Sequence, residues 1–219
     1  MEAPKVAPME EPRAASAVPL ETIEMLARGL GVVGEAARRI TVLGVRRHIG
    51  TTIAAITLAR SLAKQGRVVL VDLALGSPNL AAIAADPAAP GIAELVHGSA
   101  SFGQIITRDR LSSVHLIMAG QSADNAQAIL ASERLAITFE ALARSYDHVV
   151  VDAGTVPNLS AERIAQLAPL AVLVADENDA PATVVARRRL LAAGFAKVSV
   201  LAISPRAPIV DAAGTRAAA

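Results

Sequence analysis

Two kinds of hydrophobic pattern take turns along this chain. Short, almost wholly apolar runs stand at residues 40–45 (ITVLGV), 68–72 (VVLVD), 114–119 (VHLIMA), 149–152 (VVVD), 170–175 (LAVLVA) and 198–203 (VSVLAI). Runs of this kind, rich in Val, Ile and Leu and lacking polar alternation, predict strands buried on both faces of a parallel sheet. Between them, apolar residues recur at three- and four-residue spacing, which predicts helices over 52–65, 132–145, 160–167 and 182–193, with Gly66 and Gly194 as left-handed stops for the first and last. Shorter helices are expected at 80–85, 91–97 and 101–107, the last with Ser101 as its cap. Upstream, Leu20, Ile23, Leu26, Leu30 and Val33 make an apolar stripe at helical spacing. Strand and helix in alternation imply right-handed crossovers, hence an α/β fold: a mostly parallel sheet between two helical layers.

The first strand leads into the stretch with the most chemistry. ITVLGVRRHIGTTIAAITLA, from Ile40 to Ala59, has the order of a strand, phosphate loop and helix, but it departs from G-x-x-x-x-G-K-[ST]. Gly50 is kept and Thr52 holds the position of the magnesium-binding hydroxyl. Thr51 stands where the phosphate-binding lysine belongs, Val45 where the first glycine belongs, and His48 at a position often filled by glycine. Arg46 and Arg47 are the nearby cations that could replace the lysine charge, against the plainer reading of a solvated basic loop. His48 is expected to tolerate a left-handed backbone better than a β-branched residue would. Two further runs close on carboxylates, Asp72 and Asp152, which a parallel sheet sets at its ligand-binding edge. With the loop they form a candidate site in which Thr52, Asp72 and Asp152 hold Mg and Arg46, Arg47, His48, Gly50, Thr51 and Thr52 meet a nucleotide. The plainer reading is that Asp begins turns well.

Composition narrows this picture. The chain has 219 residues, 53% of them apolar and only 2% aromatic, so its core is aliphatic and of ordinary domain size. With 21 basic and 20 acidic residues it lacks the basic footprint of a nucleic-acid binder. The absence of cysteine excludes disulfides, thiolate metal sites and a cysteine nucleophile. No G-x-S-x-G, H-E-x-x-H or G-x-G-x-x-G is present, which leaves hydrolase, zinc-protease and dinucleotide readings without support. Residues 1–19, rich in Pro and Ala, and 205–219 read as unstructured arms around a domain at 20–204, and a cytoplasmic protein is expected. The Arg187, Arg188, Arg189 run reads as an exposed helix face, with Leu190 and Leu191 turned inward.

Taken together these stretches resemble the cytoplasmic domains of bacterial tyrosine kinases of capsule and exopolysaccharide assembly, within the MinD/ParA-like P-loop ATPases. RVVLVDLALGSPNL resembles the second Walker-type strand of that family, PGIAELVHGSASFGQIITRD its following helix pair, and LSSVHLIMAGQSADNAQAILASERL and YDHVVVDAGTVPNLSAE the segments up to and including Walker B. The resemblance implies a three-layer P-loop fold, ATP or ADP with Mg as ligands, catalytic roles for Asp72 and Asp152, a membrane-anchored adaptor as partner and a homo-oligomer. Its departures are chemical. Besides Thr51, Ala74 replaces a carboxylate, Gly76-Ser77 a basic pair, and Glu24 and Ala27 the two arginines of an oligomerisation motif that begins at Glu21. The C-terminal tyrosine cluster is missing, and the chain's one tyrosine, Tyr146, is expected to pack. Three functions follow: a scaffold or regulator of exopolysaccharide chain length or export without efficient ATP use, an active tyrosine kinase of that pathway, or a MinD/ParA-like positioning protein.

Overall fold

A computed structural model of the chain describes residues 20–31, 38–121, 125–156 and 160–204. The arms expected at 1–19 and 205–219, together with Val33, lie outside the described residues. In chain order the elements are α1 (Leu20–Gly31), β1 (Arg39–Gly44), α2 (Thr51–Leu62), β2 (Val68–Asp72), α3 (Ile92–His97), β3 (Ile106–Arg108), β4 (His115–Ile117), α4 (Ala126–Ala131), α5 (Glu133–Ser145), β5 (His148–Thr155), α6 (Ala161–Leu167), β6 (Leu170–Asp176), α7 (Ala180–Ala192) and β7 (Lys197–Ile203). A single 3-10 turn at Leu80–Ile83 stands where a short helix is predicted.

The strands form one seven-stranded sheet in the order β3-β4-β2-β5-β1-β6-β7. Every pairing is parallel except β3 with β4. Because strand side chains alternate between faces, each apolar run supplies two cores at once. On one face Ile40, Val42, Leu70 and Val150 pack with Ile23 and Ala27 of α1 and Ala55, Leu58 and Leu62 of α2. On the other, Leu43, Val71 and Val151 pack with Ile92, Phe139, Ile164 and Leu190 from α3, α5, α6 and α7. The predicted three-layer, mostly parallel architecture is the one observed.

Several local expectations are corrected. Residues 101–107 do not form a helix; a turn at 102–105 leads into β3, whose Ile106, Thr107 and Arg108 pair with Ile117, Leu116 and His115. The β-branched run Ile105, Ile106, Thr107 carries this preference, and Ser101 only bonds Gln104 locally. Gly66 is not a left-handed stop: α2 ends at Leu62 with Ala63 in right-handed geometry, and glycine at 66 leaves room for Asp147, 2.9 Å from where its Cβ would lie. Gly194 is left-handed as expected, at φ 98°. The polar stretch after Gln121 contains a helix, α4, whose Ile129 is buried.

Within the described part of the α1 stripe, Ile23 and Leu26 pack on the domain itself. Ile23 and Ala27 are fully buried against α2, and Glu24 takes Lys64 at 2.9 Å. Ala27 therefore fills a packing position where the related motif would place an arginine. A second tie, unforeseen from sequence, joins α2 to the far edge of the sheet: Arg60 grips buried Asp109 through two 2.8 Å hydrogen bonds, and Ser112 donates to the same carboxylate at 2.5 Å. If α1 belongs to the core, Ile23→Ala will cost about 2–4 kcal/mol in urea unfolding, the usual penalty for emptying a buried aliphatic site; a cost near zero would detach α1 from the domain.

Candidate functional site

The loop between β1 and α2 turns back sharply on the strand it leaves. A Cβ at Gly44 would overlap the Thr51 hydroxyl and the Ile49 side chain, so glycine there is what allows the loop to close. Ile49 and Thr51 are both buried as a result, Thr51 at 7% exposure. Closing the loop takes two left-handed residues: Gly50 at φ 89°, which is also the N-cap of α2, and His48 at φ 57°. His48 is the one left-handed residue other than glycine among those described, which meets the expectation for a histidine standing in for a lost glycine. No side chain caps α2, so its first amides stay open to the cleft with the positive end of the helix dipole behind them.

Parallel pairing of β2 and β5 puts Asp72 and Asp152 in direct register. Both carboxylates are buried at the sheet's carboxyl edge. Each accepts the amide two residues on, Ala74 N at 3.0 Å for Asp72 and Gly154 N at 3.1 Å for Asp152, so the turn-starting role anticipated for Asp is present at both. Asp72 goes further. Its second oxygen accepts the amides of Asn79 at 3.1 Å and Leu80 at 3.3 Å, so one carboxylate holds the loop after β2 in place. Burial raises its pKa to about 6, with the neighbouring Asp152 charge adding to the effect and the backbone amides opposing it. Burial also raises the pKa of Asp152, while the Thr52 side chain and the Gly154 amide pull it down. The Oδ2 of Asp152 is buried and has no well-formed hydrogen bond. The Thr52 side chain is close enough to lower the Asp152 pKa, but no hydrogen bond of normal geometry reaches that oxygen.

A cleft of about 500 Å³ opens above these groups. Gly50, Thr51 and Thr52 form one wall; Ala74, Gly76, Ser77 and Asn79 form another; Ala153 to Thr155 and α4 complete it. The loop after β2 thus borders the site between residues 73 and 79. Arg47 and His48 line the cleft, and Arg47 is the single arginine or lysine among the described lining residues. Arg46 turns away, pairing with Asp176 at the end of β6 at 3.0 Å. The structure thus brings Arg47, His48, Gly50, Thr51, Thr52, Asp72 and Asp152 to one place and takes Arg46 out of it. Tyr146 lies elsewhere, sharing a 2.7 Å hydrogen bond with Nδ1 of His115 and packing edge-on to its ring.

The donor set suits magnesium held jointly with phosphate. Mg²⁺ takes one or two carboxylates and keeps water or phosphate in its other positions, and the buried, unpartnered Asp152 oxygen beside Thr52 offers such a ligand. Asp72 contributes field more than free lone pairs, since backbone amides occupy both its oxygens. Among the described residues no three acidic or histidine side chains converge into an all-protein metal cage. No described helix is long and apolar enough to cross a membrane.

The Asp72 carboxyl sets a pH dependence. Its pKa lies above the ordinary 3.8, so between about pH 4 and 6 the folded state holds a proton that the unfolded chain has released. Stability from this group is complete below the lower value and is lost as pH rises through the upper one, by about 3 kcal/mol. Urea unfolding from pH 4 to 7 is expected to show this fall in the parent and a flatter profile in Asp72→Asn; parallel profiles would refute it.

No protein-family profile matches the chain. A tyrosine-protein kinase, ptk, of Acinetobacter johnsonii is 27% identical over 114 residues, 52% of this chain and 16% of that protein, so the match spans far less than two thirds of its length. Among solved structures, the kinase domain of the Escherichia coli tyrosine kinase ETK superposes with a TM-score of 0.75 at 22% identity, over 91% of this chain and 79% of that one. The BceF tyrosine kinase domain gives 0.70 at 24% identity, over 83% and 76%. A ParA family ATPase from Chlorobium tepidum shares the sheet more distantly, with a TM-score of 0.59 at 15% identity, over 75% and 73%. The chain therefore has the mostly parallel, three-layer P-loop fold of the MinD/ParA type, and within that fold it resembles the domains of bacterial tyrosine kinases.

Proposed function

We propose that residues 20–204 form a degenerate tyrosine-kinase-like P-loop domain that serves exopolysaccharide or capsule assembly, in chain-length control or export, as a scaffold or regulator without efficient ATP use. The observation that carries this reading is Thr51. The position that should send a lysine to the β- and γ-phosphates holds a short, buried side chain packed under Gly44, while Arg47, the one arginine or lysine among the described lining residues, sits upstream on the loop. A guanidinium there lacks the reach and direction of a lysine rising from the helix start. ATP or ADP with Mg then binds weakly if at all. The partner is a membrane-anchored chain-length or export adaptor, which holds the domain at the cytoplasmic face of the membrane.

One observation favours a second reading, an active ATP-dependent tyrosine kinase. Arg47 lines the cleft and makes no ion pair among the described residues. Thr52 and Asp152 would supply the hydroxyl and carboxylate that a magnesium-assisted phosphoryl transfer needs, with Asp72 beside them. On that reading the tyrosines phosphorylated belong to a partner, since Tyr146 is engaged with His115.

Calorimetric titration with Mg-ATP and Mg-ADP separates the two. The scaffold reading expects no or weak binding, and no phosphotyrosine by mass spectrometry after incubation with Mg-ATP. Tight binding lost in Arg47→Ala, with phosphotyrosine formed on a partner, would establish the kinase instead.

Repair of the loop gives a second test. A lysine at 51 would restore a charge-assisted donor worth about 1.5–3 kcal/mol, or roughly ten- to a hundredfold in affinity. Glycine at 48 would relieve the left-handed strain. His48→Gly with Thr51→Lys is expected to create or tighten Mg-dependent ATP binding, and Thr51→Lys alone to gain less. A folded double variant with no binding in calorimetry or thermal shift would mean that decay extends beyond the loop and that Asp72 and Asp152 serve only as turns.

A further inference from the structure

The last helix and the last strand carry an unusual share of the exposed apolar surface. Of the eight large apolar side chains exposed among the described residues, four lie here: Val184, Val185 and Leu191 on α7, and Val200 on β7. Sequence reading turns Leu191 inward; the structure leaves it 44% exposed and buries only Ala186 and Leu190 of the helix. At 100° per residue, Val184, Arg188 and Leu191 share the face opposite those two, and Arg187 flanks it. Even-numbered residues of β7 point to the same side of the sheet as α7, since Val198 joins the core cluster that contains Leu190. Val200 therefore lies on the side of the sheet that α7 covers and is not part of the outer face of the helix.

Charge says what fits this face. Arg187, Arg188 and Arg189 are exposed and make no ion pair among the described residues. Unpaired arginines around an apolar stripe select an acidic occupant, because guanidinium groups bind carboxylates in paired geometry. Membrane-surface helices anchor through long or aromatic side chains, and this stripe has only short valines and one leucine. A second copy would bring its exposed Glu133, Glu162 and Glu177, which make no ion pair among the described residues, and is therefore the competing occupant that the test separates. Arg188 lies between Val184 and Leu191 on this face, so an occupant must bring a carboxylate into the middle of the apolar contact.

We infer that the outer face of α7 docks an amphipathic acidic helix of a partner protein. The apolar stripe of that helix packs on Val184 and Leu191 and its carboxylates meet Arg187 and Arg188. This surface is separate from the cleft, and the inference stands whether or not nucleotide binds there.

The test uses the whole 219-residue chain and a fluorescein-labelled helical peptide of about three heptads with Leu at the seam and Glu on its flanks. A matched peptide carrying Lys on the flanks is the control. Anisotropy is expected to show saturable binding of the Glu peptide, weakened at least about tenfold, some 1.4 kcal/mol, by Arg187→Glu with Arg188→Glu, by Val184→Asp with Leu191→Asp, and by Lys on the peptide. All four positions are exposed, so the variants should melt with the parent; if charge reversal lowers the melting temperature, Arg187→Ala with Arg188→Ala replaces it. Absence of saturable binding, or equal binding of both peptides or of all variants, overturns the proposal. So does flotation of the chain with phosphatidylglycerol vesicles, or self-association in sedimentation that the same variants abolish.

Discussion

Two carboxylates lie side by side in the driest part of the sheet, and much of the architecture around the cleft answers to that fact. The parallel register of β2 and β5 forces Asp72 and Asp152 together, and burial makes their joint ionisation costly. Asp72 meets the cost with three backbone amides, which is why the chain after β2 folds down over the sheet edge in the way that it does. Asp152 meets it only in part, through one amide and the nearby Thr52. The residual cost at Asp152 is what a cation would relieve, so the same pair that shapes the wall of the cleft also tunes what the cleft can hold.

Against that pair, the loop keeps the backbone of a phosphate loop with a different side chain at position 51. The backbone requirements are still met: Gly44 lets the loop close, Gly50 turns into α2, and His48 adopts a conformation usually given to glycine. The missing part is a side chain that reaches out. Backbone geometry is held by the core on both sides of the loop, and so is set independently of which side chain stands at 51.

Much of this was legible in the residues. The apolar runs located every parallel strand because strands buried on both faces tolerate few polar residues. The displaced glycine at 48 announced a left-handed backbone, and the carboxylates at the ends of two runs announced a shared edge. Features that hang on partners far along the chain were not legible. Arg46 and Arg47 are alike as neighbours in sequence; only Asp176, 130 residues away, draws Arg46 out of the cleft. The Arg60–Asp109 tie had no signal for the same reason. Strand β3 was read as helix because three residues give too short a pattern, although its β-branched run pointed the right way. Leu191 was assigned inward on hydrophobicity alone, which fails wherever an apolar residue is kept for something outside the fold.

The two ends of the sheet differ in a way that bears on how copies of this chain would aggregate. At one end β3 is antiparallel and only three residues long, and its neighbouring turn is pinned by Asp109 to α2. Such a stub cannot template a further strand. At the other end β7 offers seven residues paired on one side only. Among the described residues, strand-to-strand association thus has a single open end per molecule, and two molecules joined there through a twofold axis expose only their blunt ends. Misassembly by this route terminates at a pair and does not propagate into a fibre.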